Sequence, residues 1–207
     1  MKPWAVGAER FLSLFKGDLM EPIFTLSYSE YSVISELSHY LKKKDGYTCY
    51  VPASRQEKGV DFIFRNSKTG KHLSFQVKGS RSYAGEKDGE TWHSFWFNNF
   101  IKRYELGVAD FYILFGIYPT YSQKVQVTSK NKHWRSMILC FDDNEMGRTL
   151  RSIRTKTDKP DSFFSIWLDS SNCEPIGGRG FRNDPNLTEH LLENKVSKIK
   201  KASKVGT

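Results

Sequence analysis

Cysteine is scarce in this chain, and the spacing of the few cysteines argues against two classes of protein. The 207 residues include only Cys49, Cys140 and Cys173. No two of them form a CxxC pair, and no histidine lies at ligand spacing from any of them, which argues against a structural zinc site. Their wide separation also argues against a secreted disulfide scaffold. We expect three reduced thiols in a cytoplasmic protein.

Long apolar runs are absent as well. The longest apolar stretch, from Val108 to Tyr118, is interrupted by Asp110 and is far shorter than the roughly 20 residues that a membrane-spanning helix needs. The first residues contain no sustained apolar segment after Lys2, so we expect no signal peptide and no membrane partner. The sequence also lacks internal repeats and proline- or serine-rich linkers, which favours a single domain over residues 1–207.

Positive charge, by contrast, is abundant. Lysine and arginine number 32 and aspartate and glutamate 23, which gives a formal charge of +9. The excess is concentrated in residues 65–81, in residues 148–159 and in the tail from Lys195 onward. Clusters of this kind suit a polyanion, and nucleic acid is the commonest one. The alternative is a basic surface that only keeps the protein soluble.

The periodicity of the apolar residues predicts both helices and strands. Strands are expected at residues 47–52, 59–65, 72–78, 109–118, 124–129, 136–141 and 163–168. Helices are expected at residues 8–15, 29–44 and 144–154, and from Asp184 through the basic tail, about 184–207. Residues 79–89 are polar and are predicted to form a loop. This order of elements favours an α/β domain with a central mixed β-sheet flanked by helices.

Two carboxylates stand where carboxylates are unusual. Glu30 shares one face of the first predicted helix with that helix's apolar residues, so it must be paired, neutralised or bound to a metal. Asp61 lies between Val60 and Phe62 inside a predicted apolar strand, where acidic residues are disfavoured. Each carboxylate therefore needs a chemical reason for its position.

The next predicted strand brings further polar side chains to the same place. Gln76 and Lys78 are two residues apart and so point to one face, and a hairpin would put Asp61 beside them. The Asp61 carboxylate, the Gln76 side-chain oxygen and the Val77 carbonyl are hard oxygen ligands of the kind that suit Mg²⁺. Lys78 would then orient an attacking water and offset charge on phosphorus. The alternative is a plain cross-strand ion pair of Asp61 and Lys78, with Gln76 on the surface.

The order of these residues resembles that of the PD-(D/E)xK nuclease superfamily, which has the restriction-endonuclease-like fold. The matching features are a helix with a glutamate, a strand with an aspartate and a strand ending in x-x-Lys, here carried by Glu30, Asp61 and Gln76-Val77-Lys78. The resemblance covers residues 29–82, about a quarter of the chain. It departs from the pattern at Val60, where the family has proline, and at Gln76, which replaces the second acid. A QxK sequence resembles the Mrr-type branch of the superfamily.

The resemblance implies a Mg²⁺-dependent endonuclease that hydrolyses DNA phosphodiester bonds, with Mn²⁺ as a substitute cation. It implies that Asp61, Gln76, Val77 and Glu30 form the metal site, and that Lys78 acts on the attacking water. It also implies products with 5′-phosphate and 3′-hydroxyl ends, and it makes a homodimer plausible because two strand cuts often need two copies of one site. The core motifs would then occupy residues 29–118 of a single nuclease-like domain.

Several residues near this cluster are candidates for contacts with DNA phosphates. Ser80, Arg81 and Ser82 follow Lys78 directly, and Lys58 precedes the Asp61 segment. Ordinary loop polarity is the alternative for each of them. In the aromatic segment 92–100, core packing is the default and base stacking the alternative, and His93 is predicted to be a packing histidine.

A protein of another class would share many of these features. The chain could be a non-catalytic DNA-binding or assembly module that keeps the nuclease fold. Gln76 favours that alternative because it is neutral, and a neutral ligand binds Mg²⁺ more weakly than a carboxylate does. The presence of Lys78 together with Asp61 and Glu30 favours the nuclease.

Overall fold

The helices and strands follow one another in mixed order along the chain. The structure is a computed structural model that describes residues 26–53, 59–87, 90–119, 134–169 and 173–204. Its strands are β1 Tyr47–Tyr50, β2 Phe62–Asn66, β3 His72–Lys87, β4 Glu90–Asn98, β5 Phe111–Pro119, β6 Trp134–Asp142, β7 Phe163–Asp169 and β8 Pro175–Gly177. Its α-helices are α1 Tyr28–Tyr40, α2 Phe100–Arg103, α3 Asp143–Ser152 and α4 Leu192–Ala202, with 3₁₀ turns at Lys43–Asp45 and Thr188–His190.

Within the described residues, the strands form one mostly antiparallel sheet of eight strands that is flanked by helices. The order is β1-β2-β3-β4-β7-β8, and β5 pairs with both β3 and β6. The β3–β5 pair is parallel and the other pairs are antiparallel. Strand β3 pairs with β2 at its start, with β5 over its middle and with β4 at its end. It therefore joins the two halves of the sheet.

Apolar side chains fill both faces of this sheet. Along β5, alternate residues belong to two separate clusters, with Ile113 in one and Leu114 in the other. Helix α1 packs onto the first face, where Val33 and Leu37 join Val77 of β3 in one buried cluster. The second cluster contains the inward side chains of β4 and β7 and the buried residues of α3. Burial on both faces accounts for the nearly unbroken apolar sequence of β5.

The structure confirms the helices and strands that were predicted from strongly apolar or strongly periodic segments. Helices α1 and α3 and strands β1, β2, β5, β6 and β7 lie where the sequence indicates, with shifts of a few residues at their ends. The predicted elements at residues 8–15 and 124–129 lie outside the described residues.

Two predictions about the fold are wrong. Residues 79–87 are not a loop, because β3 continues through them and pairs with β4 from Ser82 onward. Cross-strand pairing here overrides a weak local preference for strand. The last helix does not begin at Asp184 but at Leu192. Backbone hydrogen bonds from Gly177 to Pro185 and from Leu187 to Pro175 hold the intervening segment against β8.

Two further findings concern membranes and thiols. Among the helices of the described residues, none combines the length and the apolar character that crossing a membrane requires. Cys49, Cys140 and Cys173 form no disulfide. Cys140 is fully buried in the sheet, and burial raises the pKa of its thiol.

Candidate active site

The candidate site lies where β2 separates from β3. Asp61 is the residue just before β2, and not inside the strand as predicted. Its amide still donates to the Phe75 carbonyl at 2.8 Å, which extends the β2–β3 pairing by one bond. Its Oδ2 then accepts from the Val77 amide at 2.6 Å. The Asp61 carboxylate thus takes the place of a backbone partner for Val77 and is fixed at this edge of β3.

A glycine sets the approach of the chain to Asp61. Gly59 has a φ of +97°, which is a left-handed conformation that side chains other than glycine rarely adopt. A Cβ at this position would lie 2.3 Å from Val108 Cγ1 and 3.6 Å from Gln76 Nε2. The turn before Asp61 therefore packs closely against Val108 and lies beside the Gln76 amide.

Gln76 and Lys78 point to the same face of β3, which confirms that prediction. Phe75 and Val77 alternate with them and pack in the cluster that α1 covers, so Gln76 and Lys78 point the other way. Gln76 is only 7% exposed, and its side chain forms no hydrogen bond with any described residue. The Gln76 amide is not among the buried polar groups without a partner, which within the described residues belong to Ser94, Thr188 and His190.

Lys78 is half-buried and lies among charges from three other parts of the fold. Its Nζ is 5.7 Å from the centre of the Phe100 ring. Burial is the largest influence on its pKa and lowers it; Asp61 raises the pKa, Arg103 lowers it, and Glu30 raises it most weakly. The net direction is downward. Lys78 forms no ion pair with any described residue.

Glu30 has a structural role that the sequence analysis did not predict. Its Oε2 accepts from the Ser27 amide and Ser27 Oγ accepts from the Glu30 amide, both at 3.3 Å, which is a capping box at the start of α1. Glu30 is half-buried and its carboxylate is paired with the Ser27 amide, which is one of the outcomes that its position on the helix predicts. The start of α1 contacts β3, since a Cβ at Gly79 would lie 3.1 Å from Ser29 Oγ.

The structure therefore brings Asp61, Gln76, Val77 and Lys78 together directly. Glu30 approaches from the helix on the opposite face of β3 and reaches Lys78 only as the weakest of the charges above. Arg103 of α2 is an addition that the sequence analysis missed. Its only sequence signal is a basic residue after an aromatic segment, and that signal is too common to be useful.

The predicted phosphate contacts differ in their surroundings. Ser80 Oγ accepts from the Trp96 amide at 2.9 Å, and Ser82 Oγ lies 2.9 Å from His93 Nδ1. Arg81 is exposed, on the opposite face from Ser82. Lys58 lies outside the described residues. His93 is buried against Tyr118, which confirms its packing role, and burial lowers its pKa.

The donor chemistry of the candidate site fits a hard cation. Within the described residues, no group of three or more histidine, cysteine, aspartate or glutamate side chains is arranged to hold a metal. The ligand set implied by the resemblance is of another kind, since it includes an amide oxygen and a backbone carbonyl. These are donors that Mg²⁺ accepts. The Gln76 side chain supplies the amide oxygen of this set.

A second charged cluster, which the sequence analysis also missed, lies between α3 and α4. Glu145 Oε1 accepts from Lys195 Nζ at 3.0 Å and from Lys198 Nζ at 2.7 Å, while Glu145 Oε2 accepts from the Asp142 amide at 2.9 Å. Lys198 also pairs with the Asp142 carboxylate. Burial raises the pKa of Glu145, but these contacts outweigh it and lower that pKa to about 2. We call this set the Glu145 cluster.

Neither a protein-family model nor a curated protein matches this chain. The case for a function therefore depends on the residues and their arrangement.

Proposed function

We propose that the chain is a Mg²⁺-dependent endonuclease that hydrolyses DNA phosphodiester bonds and has a restriction-endonuclease-like core. The observation that carries this proposal is the position of Asp61. Its carboxylate is fixed by the Val77 amide at the edge of β3, beside a buried Gln76 and a Lys78 that has no ion pair with a described residue. Asp61, Gln76 and Lys78 are three of the site residues that the superfamily resemblance implies, and their proximity supports the proposal.

The proposed metal site uses oxygen atoms from adjoining segments. Asp61, the Gln76 side-chain oxygen and the Val77 carbonyl would hold Mg²⁺ or Mn²⁺, and Glu30 would complete the site directly or through water. When bound, the cation would polarise the phosphate and lower the pKa of a bound water. The neutral Gln76 leaves Asp61 as the main source of negative charge among the residues beside the cation.

Lys78 would act on the attacking water and on the phosphate. Its lowered pKa and partial burial favour close contact with a water molecule, because the ammonium group is poorly solvated by bulk water. Lys78 Nζ would orient that water for attack on phosphorus as the bond to the 3′-oxygen breaks. Its positive charge would also stabilise the negative charge that develops on the phosphate. Asp61 and Glu30 favour the charged form of Lys78 and so support that role.

Net charge supports the choice of DNA as substrate. The formal charge of +9 favours attraction of a polyanion over long range. Neutralisation of phosphates by lysine and arginine makes binding strongly dependent on salt. We expect the affinity for DNA to fall steeply between low and physiological salt.

A plasmid cleavage assay tests the proposal. Purified protein is incubated with supercoiled, linear, single-stranded and branched DNA in Mg²⁺, in Mn²⁺ and in EDTA. We expect cutting that requires the cation and that is lost in Asp61→Asn, which keeps an acceptor for the Val77 amide but removes the charge. Asp45→Asn, at an exposed position on the 3₁₀ turn, is the matched control and should cut normally. Cutting by Asp61→Asn at the wild-type rate would contradict the proposal.

The second candidate function is a DNA-binding or assembly module without catalysis, which the neutral Gln76 favours. The same assay separates the two candidates. Salt-sensitive binding of DNA without cutting of any form, in either cation, would support the module and contradict the nuclease.

A further inference from the structure

An exposed aromatic surface lies on the part of the sheet that follows the candidate site. Strands β3, β4 and β7 place Tyr83, Ser94 and Trp167 in one cross-strand row. The residues next to them along each strand, such as Phe95 and Ile166, point to the other face and are buried. Trp92 shares the outer face, because its ring contacts the Trp167 ring edge-to-face at 6.3 Å. We call this surface the Trp167 face; its members are Arg81, Tyr83, Trp92, Phe163, Trp167 and Arg179.

Three of the four rings of the Trp167 face are exposed to solvent, and the fourth, Trp92, is half-buried. Tyr83 is 47% exposed, Trp167 is 40% exposed and Phe163 is 37% exposed. Single exposed aromatic residues are ordinary, but several neighbouring rings on one face indicate a binding surface. The uncovered rings therefore suggest a partner with flat, apolar groups.

Arginine lies at both ends of this surface. Arg81 stacks over the Tyr83 ring at 4.9 Å and its Nε donates to Tyr83 Oη at 3.1 Å. Arg179 lies over the Phe163 ring at 5.5 Å and also pairs with Asp161 at 3.2 Å. Both arginines are exposed. The partner should therefore carry negative charge as well as flat groups.

A glycine brings the Arg179 loop onto the sheet. A Cβ at Gly178 would lie 2.6 Å from both Ser165 Oγ and Trp167 Nε1, so only glycine allows this close approach. Ser165 Oγ also accepts from the Arg179 amide at 2.9 Å. The loop and Trp167 together form one wall of a cavity of about 820 Å³. The cavity is also lined by Arg154, Lys156 and Arg182, with Asp158, Asp161 and Asp184 as its acids.

We propose that the Trp167 face binds single-stranded nucleic acid. Unpaired bases stack on Trp167 and Tyr83, and phosphate groups lie beside Arg81 and Arg179. Stacking on aromatic side chains combined with basic residues is the general way in which proteins hold single strands. A duplex keeps its bases stacked on one another, so it does not offer their faces to these rings. The binding requires no metal and does not depend on cleavage.

Fluorescence anisotropy with labelled oligonucleotides tests this proposal. Wild-type protein is titrated in EDTA with a thymidine 15-mer, a uridine 15-mer and a hairpin duplex of equal charge. We expect Trp167→Ala to weaken binding of the single strands by about tenfold and to leave duplex binding unchanged. Trp134→Ala is the matched control, because Trp134 is 53% exposed at the start of β6, outside the Trp167 face. Trp167→Phe keeps a ring and should retain most of the affinity.

The remaining variants separate stacking from charge. Tyr83→Ala should also weaken single-strand binding, and it replaces Trp167→Ala if circular dichroism shows that variant to be unfolded. Arg81→Ala should reduce the slope of log K against log salt by about 0.7. Equal loss for thymidine and uridine strands is expected when the rings stack on the bases of both, whereas loss for only one strand shows which of the two strands the surface holds. Both results support the proposal.

Three results would overturn the proposal. The first is unchanged single-strand affinity in folded Trp167→Ala and Tyr83→Ala. The second is an equal loss in Trp134→Ala. The third is that the wild-type protein binds none of the oligonucleotides but forms a dimer that Trp167→Ala disrupts. The surface would then bind a second copy of the chain. Because all of these titrations contain EDTA, failure of the nuclease proposal leaves them interpretable.

Discussion

The surroundings of Lys78 and of the Glu145 cluster show two ways of holding charge in the same fold. In the Glu145 cluster, one carboxylate binds two ammonium groups and a backbone amide. Burial lowers the pKa of Lys198, but its bonds to Asp142 and Glu145 outweigh burial and raise it. For Lys78 the outcome is the opposite. Burial lowers its pKa by more than the negative charges of Asp61 and Glu30 raise it.

This difference in pKa shift distinguishes the Glu145 cluster, which has a structural role, from Lys78, which is a candidate catalytic residue. The charges of the Glu145 cluster are largely buried and bind one another, so they stabilise the fold. A half-buried lysine whose pKa is lowered by burial is unfavourable for stability, and residues of this kind concentrate at functional sites. The two clusters should therefore respond to mutation in opposite ways, one through activity and the other through stability.

The largest expected effect is the loss of cleavage in Lys78→Ala. Removal of a group that positions water and stabilises charge typically lowers a rate by at least about 100-fold. Binding of DNA should persist, because the rest of the basic surface is intact. Initial rates of plasmid nicking in Mg²⁺ measure the effect, with Lys71→Ala at an exposed position as the control. Loss of cutting and binding together would indicate misfolding.

The next effect is on stability in Glu145→Gln. This substitution leaves the ammonium groups of Lys195 and Lys198 without the carboxylate that binds both. Breaking a largely buried ion pair from one side costs about 3 kcal/mol of unfolding free energy. Urea denaturation measures it. DNA cleavage by the variant should match wild type while it is folded, and a loss of activity in folded protein would contradict the division of roles.

A smaller effect is the dependence of stability on pH that Glu145 causes. The pKa of Glu145 is about 2 in the folded protein, against an ordinary value of 4.5. A carboxylate whose pKa falls on folding contributes stability that is fully present above its unfolded value and is lost as pH falls toward the folded value. The contribution is on the order of 2 kcal/mol. The stability difference between wild type and Glu145→Gln should therefore shrink between pH 5 and pH 2; a constant difference would refute this cause.

The sequence predicts the elements whose signal is local. Strand β5 is an unbroken apolar run, and α1 has a clear helical period, so both appear near their predicted bounds. The second half of β3 has no such signal. Its polar residues become a strand only because β4 pairs with them, and that pairing depends on the fold as a whole.

The candidate site divides in the same way. The shared face of Gln76 and Lys78 follows from the two-residue period of a strand. The bond from the Val77 amide to Asp61 depends on where β2 begins, which no pattern marks. The Glu145 cluster joins residues about fifty positions apart on two helices, so neither helix's sequence indicates it. Capping by Glu30 does have a local signal, since serine precedes it by three residues.

The smallest expected effect is a change in stability, and it sharpens the comparison most. Most substitutions lower the free energy of unfolding, whereas this one should raise it. Lys78→Met removes a charge that the fold disfavours and keeps a side chain of similar length against the Phe100 ring. We expect a gain of about 1 kcal/mol in unfolding free energy at neutral pH, with loss of cleavage. A lysine whose pKa is lowered on folding binds fewer protons folded than unfolded, so wild-type stability rises with pH up to the ordinary value of 10.5. The advantage of Lys78→Met should therefore narrow as pH rises, and Lys71→Met should show neither the gain nor the trend. Destabilisation of Lys78→Met at neutral pH would mean that Asp61 and Glu30 hold Lys78 as firmly as Glu145 holds its partners.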